Sequence, residues 1–223
     1  MIALVDYGMG NLRSVANAFQ AISEPVLITS SASDLRTAEG IVLPGVGAFV
    51  DGMKNLKESG LLPVLEEEVR RRRKPYLGIC LGMQFLADDS DEHASGASTH
   101  PGFGWIHGRV VQLETGDKRF KVPHMGWNDL QIRQPDPLYN SLPEAPVFYF
   151  VHGHHFVPQQ ESVVSATCTH GIQIAASVQE ENIFGVQFHP EKSQQAGLQV
   201  LRNFIGYVRN HAQKTADTCT YPA

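Results

Sequence analysis

Residues 74–87 read KPYLGICLGMQFLA, and the change of pattern at Cys80 decides how the fold is read. Tyr76, Leu77 and Ile79 form a short strand-like run, whereas Leu81, Met83, Phe85 and Leu86 fall at helical spacing. Gly78 and Gly82 stand two residues to either side of the cysteine. A strand that turns sharply into a helix, with both shoulders cleared of side chains, has the geometry of a nucleophile elbow with sulfur in place of a hydroxyl. The expected helix points its N-terminus at the sulfur, which lowers the thiol pKa and offers N–H groups to a developing oxyanion. Taken alone the motif is short, and a small buried cysteine between glycines that allow close packing accounts for it equally well.

Working outwards, IALVD (2–6), VLIT (26–29), GIVLP (40–44) and PYLGI (75–79) read as near-continuous apolar strands. Between them Leu12, Val15, Ala16, Phe19 and Ile22 recur at helical spacing, and Ser33-Asp34 marks a further helix start. Met53, Leu56 and residues 61–69 give helical material that ends in the basic run 70–74. This alternation predicts a parallel sheet covered on both faces. In the second half, strand candidates follow closely at 103–114, 122–132, 147–157, 162–168, 172–178 and 183–188, a succession that predicts antiparallel hairpins and meanders. A last helix is expected over 193–212, with Leu198, Leu201, Ile205 and Val208 on one face. Residues 88–102, DDSDEHASGASTHPG, read as a polar loop insert. The expectation is an α/β fold: a mixed, largely parallel central sheet with helices on both faces, plus antiparallel strands in the second half. It forms one domain over 1–211, followed by a frayed tail over 212–223.

Bulk properties narrow the function classes. The 223 residues suffice for a sizeable core, and 42% hydrophobic with 18% charged residues is an ordinary balance for a folded chain. A net charge of −5 argues against nucleic acid or an anionic membrane as partner. No apolar run approaches the ~20 residues that span a bilayer. MIALVDYG carries Asp6 too early for a secretory signal, and Cys80, Cys168 and Cys219 are too scattered for a disulfide framework. A reducing cytoplasm is expected. The run 70–74 fits a solvated helix C-terminus better than a nucleic-acid patch. YGMGN (7–11) lacks the third glycine of a dinucleotide loop.

A thiolate needs a base. His93, His100 and His107 lie in or near expected loops, and His211 sits at an expected helix end. His152, His154 and His155 form an H-x-H-H cluster without spaced cysteine or carboxylate partners, so no metal is expected. His189 differs: GVQFHPEKS places it at the end of an apolar strand, with Pro190 stopping the ladder and Glu191 two residues on. In extended backbone, residues i and i+2 point to the same side, so Glu191 is positioned to hold the His189 ring while its other nitrogen faces the thiol.

Cys80, His189 and Glu191 together resemble the triad of the class I glutamine amidotransferases. GICLGMQ (78–84) matches that family's G-x-C-x-G-x-Q elbow, HPE (189–191) its H-P-E block, and LPGVGAF (43–49) its P-G-[GV]-G oxyanion loop. With DYGMGNLRSV (6–15), PHMGWN (123–128) and HPEKS (189–193), the chain is further similar to one branch, the glutaminase subunits of imidazole glycerol phosphate synthase, from residue 2 to about residue 209. The resemblance implies that glutamine is the substrate and that no cofactor is used. It also implies Cys80 as nucleophile, His189 as base and Glu191 as its orienting acid. The oxyanion is then held by the N–H groups of Leu81 and Val46, beside Gly45, in a loop whose peptide reorients to complete the hole. Gln84, with backbone around Gly153 and His154, is implied in glutamine binding. The implied partner is a separate (β/α)8 cyclase subunit in a heterodimer. It takes up the ammonia in histidine biosynthesis to make imidazole glycerol phosphate and an aminoimidazole carboxamide ribonucleotide. Met9, Asn11, Trp127, Asn128 and Lys192 are expected on the docking face, although Trp127 equally suits a core aromatic. The branch usually reads V-H-S-Y-Y where this chain has VHGHHF (151–156), which removes side-chain contacts there but keeps backbone ones. Another triad glutaminase would lack M-G-W-N, and a non-catalytic relative would lack the thiol.

Overall fold

Strand β1 (Ile2–Val5) shows why the sheet needs cover on both sides: Ile2 and Leu4 enter one buried apolar cluster, Ala3 and Val5 the other. Side chains alternate faces along a strand, so an all-apolar strand demands two cores. The computed structural model describes residues 1–93 and 98–219, without the side chains of 214–219. After β1 come α1 (Leu12–Ala21), β2 (Val26–Thr29), α2 (Ala32–Thr37), β3 (Gly40–Gly45), α3 (Phe49–Glu58) and α4 (Leu62–Leu65). A π-helical continuation (Glu66–Arg71), β4 (Tyr76–Cys80) and α5 (Leu81–Gln84) complete the first half. The second half adds β5 (Asp89–Ser90), β6 (His100–Pro101), β7 (Gly108–Gln112), β8 (His124–Asp129), β9 (Gln131–Ile132), β10 (Val147–His152) and β11 (His154–Pro158). It closes with β12 (Val164–His170), β13 (Ile172–Glu180), β14 (Ile183–Val186) and α6 (Gln194–Cys219).

Among the described residues the central sheet has the order β2-β1-β3-β4-β14-β13-β12-β9. It is parallel from β2 to β14 and antiparallel beyond. One face is covered by Val15 and Phe19 of α1 and by Val200, Leu201, Phe204, Ile205 and Val208 of α6. The other is covered by Leu35 of α2, Phe49 and Leu56 of α3, and Val64 and Leu65 of α4. Each such side chain, fully buried, contributes about 1.5–3 kcal/mol. The parallel part follows the doubly wound 2-1-3-4-5 order, which places ligands at the carboxyl ends of the strands. No helix among the described residues is long and apolar enough to cross a membrane.

The structure departs from the sequence expectations in several places. The run 147–157 is two strands, not one: β10 pairs with β8 in a separate two-stranded ribbon, while β11 pairs with β7, and they part at Gly153. Residues 122–132 likewise split at Leu130 into β8 and β9, which lie in different sheets. The helix after Cys80 is a single turn, because the carbonyls of Phe85, Leu86 and Ala87 accept N–H groups from residues 103–106 instead of continuing the helix. The insert at 88–102 is pinned at its ends by the β5–β6 pairing, residues 94–97 lying outside the described ones. Helix α6 runs on to Cys219 where a frayed tail was expected; its last two turns carry no glycine or proline to stop it. Residues 220–223 lie outside the described ones.

The basic run 70–74 is only partly a solvated helix end. Lys74 turns inwards, its Nζ 2.8 Å from the Glu68 carboxylate and 2.6 and 2.9 Å from the carbonyls of Leu35 and Arg36. The Glu68 side chain is buried, at 2% exposure, and that of Lys74 is partly buried, at 10%. Lys74→Met should leave the buried Glu68 carboxylate with only Arg72, whose Nε lies 3.6 Å from Oε1, and should lower stability by less than the ~3–5 kcal/mol of a fully unpaired buried charge, read from the denaturant midpoint; Lys74→Arg should recover part of the loss.

Candidate active site

Cys80 ends β4 in a conformation few non-glycine residues adopt, φ 54° and ψ −106°. The space for this turn comes from the two glycines. A Cβ on Gly82 would lie 1.9 Å from the Leu43 carbonyl oxygen, and one on Gly78 would lie 2.3 Å from the Gly82 carbonyl oxygen. No side chain fits at those distances, so β3, β4 and the turn after it are locked backbone against backbone. A strained backbone at a thiol held this way is the mark of a functional site. The register pairs Gly45 at the end of β3 with Cys80, which sets the loop beginning at Val46 beside the sulfur.

His189 and Glu191 lie next to each other, but by a different route from the extended backbone expected. Residues Pro190–Lys192 form a 3-10 turn, and this turn brings Glu191 Oε1 to 2.9 Å from His189 Nδ1. Both side chains are buried, at 2% and 1% exposure. Nδ1 therefore donates to the carboxylate, and Nε2 is left buried without a hydrogen-bond partner, as is Glu191 Oε2. Burial opposes the charged ring, yet the neighbouring Cys80 sulfur and the Glu191 carboxylate outweigh it and raise the His189 pKa from 6.5 to about 10. Buried groups perturbed in this way and left short of partners gather at reactive centres.

The sulfur is held by groups the sequence reading passed over. Gln187 Nε2 lies 3.6 Å from Cys80 Sγ, and the thiol also lies 3.9 Å from the Val151 carbonyl. Gln187 is fully buried on the segment leading to His189; its one legible signal was a polar residue within the apolar run IFGVQF. Gln84 Nε2 in turn donates to Gln187 Oε1 at 3.1 Å and to the His154 carbonyl at 3.0 Å.

A cavity of about 170 Å³ opens on this cluster, lined by residues that include Val46, Leu81, Gln84, Gly153 and His154 beside Cys80 and His189. It is smaller than the ~300–1,000 Å³ of drug-sized pockets and suits a small metabolite. Glu92 is the one carboxylate among its described lining residues, and the sequence reading missed it. It sits among Asp88, Asp89 and Asp91 in the polar insert, where nothing in the pattern singles it out. Its Oε2 accepts from the Phe49 N–H at 2.6 Å, and its Oε1 lies 3.6 Å from His154 Nδ1. Among the described residues no cluster of His, Cys, Asp and Glu has the arrangement to hold a metal ion.

The five residues expected on a docking face divide. Trp127 is 49% exposed and Met125 beside it 63%, so Trp127 is no core aromatic. Lys192 is exposed, with Nζ 5.5 Å above the Tyr149 ring, and Tyr149 pairs with Trp127 across the β8–β10 ribbon. Met9 and Asn11 are half-buried, Met9 packing its Cε against Gly47. The Asn128 side chain turns inwards, its Nδ2 2.9 Å from the Thr169 carbonyl.

Residues 3–207 match the family model described as glutamine amidotransferase class-I. A relative from Moorella thermoacetica, described as imidazole glycerol phosphate synthase subunit HisH, is 46% identical over 209 residues, covering 94% of this chain and 96% of the relative. A second, subunit HisH 1 from Campylobacter jejuni subsp. jejuni, is 47% identical and covers 92% and 98%. Among solved structures, one described as a glutamine amidotransferase superimposes with a TM-score of 0.72 at 18% identity, covering 93% of this chain and 99% of that one. Another, described as PurLQS from Thermotoga maritima, gives 0.66 at 20%, covering 93% of this chain and 98% of that one. At such identities these structures speak to the fold alone.

If the sulfur and the carboxylate hold the proton on His189, its ring should titrate by NMR far above the ordinary 6.5, near about 10. Glu191→Gln removes a charge that favours the imidazolium and should move this titration to lower pH. The sign for stability follows: a raised histidine contributes fully below the unfolded pKa of about 6.5, and the contribution fades as the pH rises through the folded value.

Proposed function

The chain belongs to the glutamine amidotransferase class-I family, and from that membership we infer that it is the glutaminase subunit of an imidazole glycerol phosphate synthase. It releases ammonia from glutamine for a separate (β/α)8 cyclase subunit. The observation that carries this reading is the strained Cys80 elbow facing a small cavity that His189 also lines, with Glu191 buried behind the ring on its Nδ1. High identity over nearly the full length of HisH subunits, which by name are parts of imidazole glycerol phosphate synthase, supports the choice of branch. We assign the protein to the cytoplasm and read residues 1–211 as one domain, in keeping with the family match over 3–207.

In the proposed mechanism the Cys80 thiolate attacks the side-chain amide carbon of glutamine. A carbon–sulfur bond forms and the carbonyl π electrons move onto oxygen, where hydrogen bonds donated by the N–H groups of Val46 and Leu81 hold the negative charge. The His189 imidazolium gives its proton to the amide nitrogen, the carbon–nitrogen bond breaks, and ammonia leaves a glutamyl thioester. His189, now neutral, takes a proton from water as it attacks, and collapse of the second tetrahedral intermediate frees glutamate and the thiolate. Glu191 holds the ring and stabilises its charged form. Gln187 supports the thiolate, and Glu92 is the group in the cavity suited to an α-ammonium. Lys192 and Trp127, exposed on one side of the molecule, are assigned to the cyclase interface.

Cys80→Ala should lower glutamine hydrolysis by at least about 1,000-fold, while the complex supplied with ammonium salts still makes imidazole glycerol phosphate. Hydrolysis at near the unmodified rate would sink the assignment. Lys192→Ala should leave the complex assembled, since an exposed pair contributes about 1 kcal/mol or less, but lower the imidazole glycerol phosphate formed per glutamate released. Both products measured on one sample decide it.

A further inference from the structure

His124 and His152 are directly paired across the β8–β10 ribbon and are buried, at 3% and 6% exposure. Their rings belong to a continuous line of hydrogen bonds. Asn128 Nδ2 lies 3.2 Å from His124 Nε2, His124 Nδ1 lies 3.0 Å from His152 Nε2, and His152 Nδ1 lies 2.9 Å from the His154 carbonyl. That carbonyl also accepts from Gln84, and His152, Gly153 and His154 form one wall of the cavity on Cys80.

The direction of every proton in the line follows from its two ends. At the cavity end the acceptor is a carbonyl, so His152 Nδ1 must carry a hydrogen. Burial holds both rings neutral, lowering the His152 pKa to about 3 and, with help from His170, that of His124 to about 4. A neutral imidazole has one N–H, so His152 Nε2 accepts and His124 Nδ1 must donate to it. His124 Nε2 is then an acceptor and requires a donor from Asn128. The far end agrees independently: Asn128 Oδ1 accepts from the Asp129 N–H at 2.9 Å and Nδ2 donates to the Thr169 carbonyl at 2.9 Å, which fixes the amide the right way round. His124 is clamped from both sides by ring stacking, 4.1 Å from His170 and 4.8 Å from Phe150.

We propose that Asn128, His124 and His152 form a one-way hydrogen-bond relay that positions the 151–154 wall of the cavity, with His124 as a positioning residue for glutamine binding. This rests on the glutaminase reading. The relay itself ends on the His154 carbonyl, at the far end of the wall from the Val151 carbonyl that lies 3.9 Å from the sulfur, so its loss should show chiefly in KM for glutamine with a smaller change in kcat. Misaligning one hydrogen-bonded wall should raise KM by about 3- to 10-fold.

The test has two arms. In the first, imidazole nitrogen shifts in the unmodified chain should show both His124 and His152 as neutral Nδ1–H tautomers at pH 7. An Nε2–H or doubly protonated form of either ring would overturn the relay, and this arm depends neither on the function nor on a variant folding. In the second, glutaminase kinetics are compared in the complex with the cyclase. His124→Phe keeps the stack but loses both nitrogens, and should raise KM with kcat changed less than about threefold. His124→Asn, which can place an amide N–H near the position of Nδ1, should recover part of the KM. If the unmodified complex releases no glutamate, the functional reading fails. If it does and His124→Phe has unchanged KM, the relay alone fails.

Discussion

The contact on which the site depends is backbone against backbone: the Gly82 Cα against the Leu43 carbonyl, and Gly78 against Gly82. Any side chain at either glycine would push the turn away from β3. Because the turn is held there, Cys80 can sit at φ 54° at the end of β4, level with Gly45 at the end of β3. A parallel sheet with helices packed on both faces makes this possible, since its strand ends are rigid and open to solvent in one direction. The single-turn helix after Cys80 lends less dipole than a longer one would. Local groups carry correspondingly more weight, among them the Gln187 amide that lies against the sulfur and the neighbouring His189 ring, whose pKa the sulfur raises.

The buried His189–Glu191 pair runs against the general preference for apolar interiors. Two ionisable groups at 2% and 1% exposure lose their hydration, and their attraction offsets this only when geometry is close. Here one hydrogen bond of 2.9 Å joins them, while Glu191 Oε2 and His189 Nε2 have no partner of their own. Such an arrangement is poor as a stabilising device and well suited to moving a proton beside a thiol. The rest of the molecule must supply the stability, which it does through two apolar clusters separated by the central sheet.

The β8–β10 ribbon joins the cavity to the outside. Its outer face carries Met125 and Trp127, while His124 and His152 pack inwards with Phe150. Large exposed apolar side chains on a short ribbon mark a place where another surface settles. A partner there would lie one strand away from the wall that faces Cys80, a short and well-ordered path.

The sequence alone determined the features that depend on local chemistry or short-range pattern. Apolar strands alternating with amphipathic helices made the doubly covered parallel sheet legible, and glycines two residues either side of Cys80 made the elbow legible. The proximity of His189 and Glu191 was also readable, though through the wrong geometry, because a spacing of two does not distinguish an extended strand from a 3-10 turn. What the tertiary structure decided is everything that depends on which strands pair. The split of 147–157 at Gly153, the inward turn of Lys74 to Glu68, and the convergence of Glu92 and Gln187 on one cavity have no periodic signature. Neither does the hydrogen bond between the His124 and His152 rings. Apart from Lys74 and Glu68, these contacts join residues far apart in the chain, and only the folded sheet sets the distances at which charge, hydrogen bonding and burial act.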